Sequence, residues 1–195
     1  MVRVLVVNNY PSTERFERLR RCVELNGAKV TVGGWRDCSA SVFDGFDGVV
    51  LSGSPDMAST EATKTKFSDE LEAIRKTKSA LLGVCFGHQL MAVAFGARVV
   101  KDVRPVLDFI RTEVVADDPL FLGLPRTMML VESRHEVVET LPGGFKLIAR
   151  SATSEIAAMR HRGLPIYGVQ SHPERYSAAN PEGNAVVGNF VRMLS

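Results

Sequence analysis

The sequence is poor in cysteine, with three among 195 residues, and it has a single tryptophan. Cys22, Cys38 and Cys85 lie at spacings that suggest no framework. A small disulfide-stapled fold is therefore excluded, and a reducing cytoplasm is the expected setting. An excess of one charge sign is missing as well: 24 Lys and Arg against 22 Asp and Glu leave a net +2. No run of like charge argues for nucleic acid or a membrane surface as a partner. Apolar runs such as 4–7 and 80–82 are far too short to span a bilayer. The opening Met1-Val2-Arg3-Val4-Leu5-Val6-Val7 lacks the longer apolar region and small-residue cleavage site of a signal peptide. Repeats, low-complexity tracts and long linkers are lacking too.

What remains is ordinary for a globular chain, at 45% apolar and 24% charged residues. A chain of this length buries about 70% of its unfolded surface, so it needs no metal or disulfide staple. One domain over residues 1–195 is expected. Apolar runs at 4–7, 29–32, Gly48–Leu51, Ala80–Val84 and Ile166–Val169 suit strands buried on both faces of a parallel sheet. Helical patterns separate some of them. Residues 13–26 place Phe16, Leu19 and Val23 on one face, with charge pairs expected at Glu14–Arg18 and Glu17–Arg21. Ser12 or Thr13 can cap that helix and Gly27 can end it. Further helices are expected over 69–78, 88–95 and 184–194, the last with Val187, Phe190 and Leu194 inward. Residues 110–115, 128–131 and 145–150 read instead as antiparallel strands joined by Pro- and Gly-containing turns. The fold class is α/β: a single domain with a mixed, mainly parallel central sheet flanked by helices, plus a small antiparallel section mid-chain.

The most informative segment is Ala80-Leu81-Leu82-Gly83-Val84-Cys85-Phe86-Gly87-His88-Gln89-Leu90. A buried strand ends at Val84 and an apolar helix begins near His88, so Cys85 occupies a sharp strand-to-helix turn between two glycines. That is the geometry of a nucleophile elbow. Amides at a helix start favour a thiolate and can hold a developing oxyanion. A buried structural cysteine is the competing reading, and it is the preferred one for Cys22 and Cys38.

A second segment, Pro165-Ile166-Tyr167-Gly168-Val169-Gln170-Ser171-His172-Pro173-Glu174, follows the same logic. Pro173 biases His172 toward an extended conformation, in which residues two apart share a side, so His172 and Glu174 can face each other. A carboxylate beside an imidazole fixes its tautomer and stabilises the imidazolium. If this strand ends beside Ala80–Val84, a Cys85–His172–Glu174 triad results. His161 reads as part of a solvated hairpin turn, and His135 as surface or substrate-facing. His88 stands three residues after Cys85, but no second Cys/His pair completes a metal site, so no metal and no cofactor are expected.

Val49-Val50-Leu51-Ser52-Gly53-Ser54-Pro55-Asp56 is a strand running into a small-residue turn. The amide of Gly53 or Ser54 could supply an oxyanion donor opposite that of Phe86. A plain turn and a phosphate-cradling loop are the rival readings, although Pro55 removes one amide donor.

Together these three segments resemble the class I glutamine amidotransferase family, the triad type, over essentially the whole chain. Gly83-Val84-Cys85-Phe86-Gly87-His88-Gln89 is similar to its nucleophile motif, Gly168-Val169-Gln170-Ser171-His172-Pro173-Glu174 to its His–Glu motif, and Leu51-Ser52-Gly53-Ser54-Pro55 to its oxyanion loop. The resemblance implies hydrolysis of glutamine through a thioester on Cys85, with His172 as base, Glu174 orienting it, and Gly53, Ser54 and Phe86 as oxyanion donors. It also implies that Gln89 and the Ser133 region contact glutamine. The ammonia would pass to a separate synthetase subunit of the ATP-pyrophosphatase type. Two departures stand out: Ser54 replaces the second glycine of the usual Gly-Gly-Pro, and Ser171 replaces an aromatic residue before His172. If position 54 needs a positive φ, the serine is strained.

Within the family, 118–121, 123–126, 141–149 and 157–161 look most like the amidotransferase component of two-subunit GMP synthetases. Ser133-Arg134-His135-Glu136 departs from the Ser-His-x-Asp usual there. Asn8-Asn9-Tyr10 resembles instead the start of the anthranilate and aminodeoxychorismate synthase small subunits, whose His-Ser-Leu stretch is absent. The remaining alternatives are a stand-alone amidotransferase of unassigned pathway, a thiol hydrolase or peptidase, and a non-catalytic glutamine-binding regulatory subunit.

Overall fold

The computed structural model describes residues 1–195, except the side chains of Val103 and Arg104. Strand β1 (Arg3–Asn8) leads through helix α1 (Glu14–Leu25) to β2 (Lys29–Gly34), then through α2 (Ala40–Phe43) to β3 (Gly48–Leu51). Helices α3 (Glu61–Lys66) and α4 (Ser68–Lys76) precede β4 (Ala80–Val84) and α5 (Phe86–Ala94). The long strands β5 (Val99–Val114) and β6 (Thr127–Val138) follow, then β7 (Phe145–Ser151), β8 (Ser154–His161) and β9 (Ile166–Val169), and α6 (Glu182–Arg192) closes the chain. The strands form one nine-stranded sheet in the order β2-β1-β3-β4-β9-β8-β7-β5-β6. The first five in that order are parallel; β8, β7, β5 and β6 continue antiparallel.

The parallel half is buried on both faces, and period-2 alternation decides which core each residue enters. Val4, Val6, Val50, Leu82 and Val84 face α1 and α6 in one core. Leu5, Val7, Val49, Leu51 and Leu81 face α4 and α5 in the other. In this half the expected strands and helices are present, with ends moved by a residue or two; in the antiparallel half β5 begins at Val99, eleven residues before the expected 110. Gly27 ends α1 at φ +94°, a conformation a side chain resists. Thr13 stands at the N-cap of α1, but its side chain makes no capping bond.

The antiparallel half is larger than the sequence suggests. β8 is an unanticipated strand, and His161 is its last residue; its Nδ1 accepts from Gly163 and Leu164 in the turn that follows. β6 runs seven residues beyond the expected 131. Its inward positions alternate as Met128, Leu130, Glu132, Arg134, Glu136 and Val138, so the buried face carries charge and the apolar alternation fails. These charges are satisfied. Arg134 pairs with Glu132 at 2.8 Å and with Asp102, and Ser151 and Thr153 hydroxyls donate to Glu132. Buried ions need such partners.

Candidate active site

In the parallel half, β1, β3, β4 and β9 end on the same edge of the sheet, where open α/β folds gather ligands. Cys85 follows β4 at φ 52°, ψ −102°, the one positive-φ non-glycine among the described residues. Its N–H donates to Val169 O at 2.8 Å, and its carbonyl accepts from Gln89 N at 3.1 Å. The flanking glycines leave no room for a side chain. A Cβ on Gly83 would lie 2.6 Å from the Gly87 carbonyl carbon, and one on Gly87 would lie 2.6 Å from Leu51 O. The sharp elbow therefore needs both glycines. The thiol is 5% exposed, 3.6 Å from Ser133 O and 3.9 Å from Gln170 Nε2.

His172 and Glu174 meet as expected, Nδ1 to Oε1 at 2.7 Å and both buried. The expected route is corrected: Pro173–Arg175 forms a 3-10 turn, not an extended segment. Glycine at 183 permits this turn, since a Cβ there would lie 2.3 Å from Pro173 O. His172 N–H donates to Val131 O at 2.6 Å, which ties the imidazole to β6. Burial alone would lower the imidazole's pKa, but the charges of Cys85 and Glu174 outweigh it and raise it. Burial likewise opposes charge on Glu174, yet His172 and Arg175 hold its carboxyl below the usual range. His172 is thus bonded to Glu174 and electrostatically coupled to Cys85, with charge favoured on the imidazole.

The Gly53 and Ser54 N–H groups donate to nothing among the described residues, which leaves both free for a ligand. Phe86 opens α5, and a first-turn amide there stands outside the helical ladder. Ser54 does not take a positive φ, so the anticipated strain does not arise. Its hydroxyl turns to Asp56 at 3.0 Å. Gly53 is needed for close approach: a Cβ there would lie 2.4 Å from the Tyr10 hydroxyl and 2.9 Å from His172 Cε1.

Gln89 and Ser133 line a cleft over Cys85 with Ser54, Met57, His135 and Glu136, about 40 Å³ in volume. Gln89 Nε2 is committed to Glu136 O at 2.9 Å, and the Glu136 carboxylate accepts from Ser59. His135 in this wall is exposed. His88 is fully buried, with its pKa lowered to about 4 by that burial, and its Nδ1 would lie 2.5 Å from a Cβ on Gly168. It packs β9 against α5. Among the described residues no three His, Cys, Asp or Glu side chains are grouped to hold a metal, and no helix is long and apolar enough to cross a membrane.

Three contributors escape local sequence reading. Tyr10 reaches the site from the end of β1, and its pKa is raised by burial first, then by Cys85 and Glu174. Asn9 holds the Gly53 loop, donating from N to Ser52 Oγ at 2.9 Å and from Nδ2 to Ser52 O at 3.4 Å. Behind it, Glu70 accepts from Asn9 Nδ2 at 3.0 Å, and burial raises its pKa to about 8. The only local signal was Asn8-Asn9-Tyr10 at a strand end.

The model of the family described as glutamine amidotransferase class-I matches residues 5–194. The chain belongs to this family. This class-I glutamine amidotransferase is 38% identical over 146 residues to a glutamine-hydrolyzing GMP synthase subunit of Thermococcus kodakarensis, covering 75% of this chain and 74% of that one. It is 39% identical over 130 residues to the Archaeoglobus fulgidus protein of the same name, covering 67% of each. A Thermoplasma acidophilum crystal structure described as that of a GMP synthase subunit superposes with TM-score 0.87 at 30% identity, covering 100% of this chain and 94% of that one.

Proposed function

We propose that this amidotransferase hydrolyses glutamine through a γ-glutamyl thioester on Cys85 and supplies the ammonia to a separate synthetase subunit of the ATP-pyrophosphatase type, for GMP synthesis from XMP. The observation that carries the chemistry is the buried His172–Glu174 pair, Nδ1 to Oε1 at 2.7 Å, electrostatically coupled to Cys85 at the end of β4. His172 accepts the thiol proton as sulfur attacks the side-chain amide carbon, and the N–H groups of Phe86 and of Gly53 or Ser54 hold the oxyanion. The imidazolium then protonates the departing nitrogen, which leaves as ammonia with sulfur bound as the thioester. Water, deprotonated by His172, attacks that carbon; sulfur leaves, recovers its proton and glutamate is released. Glu174 keeps Nδ1 protonated throughout, so that Nε2 can exchange the proton.

Glutamine enters the cleft lined by Gln89 and Ser133. Its volume of about 40 Å³ holds only a few waters, so the cleft has to widen to admit glutamine. The assignment to GMP rests on the GMP synthase relatives at 38% and 39% identity over the anthranilate-type alternative. A reducing cytoplasm suits a nucleophile that must stay a free thiol. To test the assignment, the ATP-pyrophosphatase subunit from the same organism is added with ATP and XMP, and glutamate and GMP are measured. Raised glutamate release with GMP formation is expected; no stimulation by a folded partner refutes the GMP reading.

A further inference from the structure

Helix α1 carries Arg15, Arg18, Arg20 and Arg21 against Glu14, Glu17 and Glu24. The carboxylates are unevenly shared. Glu17 pairs with Arg20 at 2.5 Å and with Arg21 at 3.0 Å, and Glu24 also pairs with Arg20. The Glu14–Arg18 pair expected from the i, i+4 spacing is not formed. Arg15 and Arg18 have no ion-pair partner among the described residues, and both are exposed. They do not point at random: with Arg175 they line a cleft of about 480 Å³ whose other walls are Glu14, Leu107 and Ser133. Three guanidinium groups face one carboxylate there.

This cleft adjoins the reaction site on two sides. Ser133 lines both it and the cleft over Cys85. Arg175 follows Glu174, lies 3.9 Å from its carboxylate, and acts electrostatically on the Tyr10 hydroxyl. Leu107, 76% exposed, adds an apolar wall that a small inorganic ion has no means to cover.

We propose that the Arg15–Arg18–Arg175 cleft is the docking surface for an acidic segment of the synthetase subunit, with an apolar side chain of that segment seated on Leu107. The proposal rests on the reading that the ammonia goes to a separate subunit. Carboxylates on the partner replace the missing intramolecular partners of Arg15 and Arg18, and a burial of Leu107 adds apolar contact. A segment seated beside Ser133 covers the mouth of the site, so ammonia leaves toward the partner and not to bulk water. It also brings negative charge to Arg175, the cation that neighbours Glu174 and acts on Tyr10.

The test uses the full chain and the ATP-pyrophosphatase-type subunit from the same organism. The double variant Arg15→Glu/Arg18→Glu is compared with wild type and with Arg75→Glu/Lys78→Glu, which reverses exposed charges near the opposite face of the sheet. Partner affinity is titrated at low and high salt, and glutaminase activity without partner serves as the check of fold. Wild-type binding is expected to weaken with salt. Reversal at 15 and 18 is expected to weaken low-salt binding about 100-fold and to remove most of the salt dependence, with partner-free activity unchanged. The control pair is expected to bind like wild type. Equal binding by the 15/18 variant and wild type overturns the proposal, as does an equal loss in the control pair. Millimolar inorganic phosphate that saturates the cleft without competing with the partner also overturns it, in favour of a small-anion site. If wild type itself binds no partner, the separate-subunit reading falls first and the docking surface with it.

Discussion

Replacing Gly53 with alanine places a methyl carbon 2.4 Å from the Tyr10 hydroxyl oxygen and 2.9 Å from His172 Cε1, where ordinary contact begins near 3.4 Å. One ring or the Gly53 loop must retreat by about 1 Å. The imidazole has little freedom, because its main chain is bonded to Val131 at 2.6 Å and its ring to Glu174 at 2.7 Å. The phenol is 8% exposed and packed in the core beneath. Strain of this kind costs about 1–3 kcal/mol of stability, or a fall of roughly 2–12 °C in Tm for a chain of this size. A shift of about 1 Å in the base or the oxyanion donors costs about 100-fold in rate. The expected result is a kcat lowered about 100-fold in a coupled glutamate assay, with a folded circular-dichroism spectrum and a reduced Tm. Tyr10→Phe removes the nearest contact, so Tyr10→Phe/Gly53→Ala should recover part of the lost stability, a coupling read from the double-mutant cycle. Wild-type kcat and Tm in Gly53→Ala would refute the close packing of Gly53, Tyr10 and His172.

Two further outcomes follow from strain and from burial. Cys85 at φ 52° sits where side chains cost about 1–3 kcal/mol, whereas glycine costs little beyond chain entropy. Cys85→Gly is therefore expected to be about 1 kcal/mol more stable than Cys85→Ala by urea denaturation; the usual order, alanine more stable, would show that the elbow is unstrained. Glu70 has its pKa raised from 4.5 to about 8, so the folded state keeps a proton that the unfolded chain sheds. Its contribution is full below the unfolded pKa and is lost as pH rises toward about 8, at up to about 1.4 kcal/mol per pH unit. Glu70→Gln should flatten the decline in Tm between about pH 5 and 8; an unchanged slope would mean that Glu70 is ionised in the fold.

How much the sequence discloses depends on how local the cause is. β1, β3, β4 and β9 were legible because burial on both faces makes each a continuous apolar run. The length of β6 was not, because Glu132, Arg134 and Glu136 occupy its inward positions and are stabilised by residues distant in the chain. Helices of four and six residues, such as α2 and α3, are too short for a period to show. At the site, the turn at Cys85 and the meeting of His172 and Glu174 were legible because each stands in a motif that fixes its local geometry. The His172–Glu174 contact was foreseen but its backbone route was not, since the 3-10 turn depends on Gly183 in a later helix. Tyr10, Asn9 and Glu70 become visible only when β1, β3 and α4 are brought together. The idle pair Arg15 and Arg18 likewise emerges only from seeing which carboxylates Arg20 and Arg21 have taken.

The most direct test of the account is glutamate release from glutamine by the purified chain with its synthetase subunit, beside Cys85→Ala and His172→Ala. The account predicts release by wild type, none above background in either variant, and a γ-glutamyl adduct on the Cys85 peptide when turnover is quenched in acid. Undiminished release by Cys85→Ala would contradict it, and so would a wild-type chain that releases nothing beside a folded, bound partner.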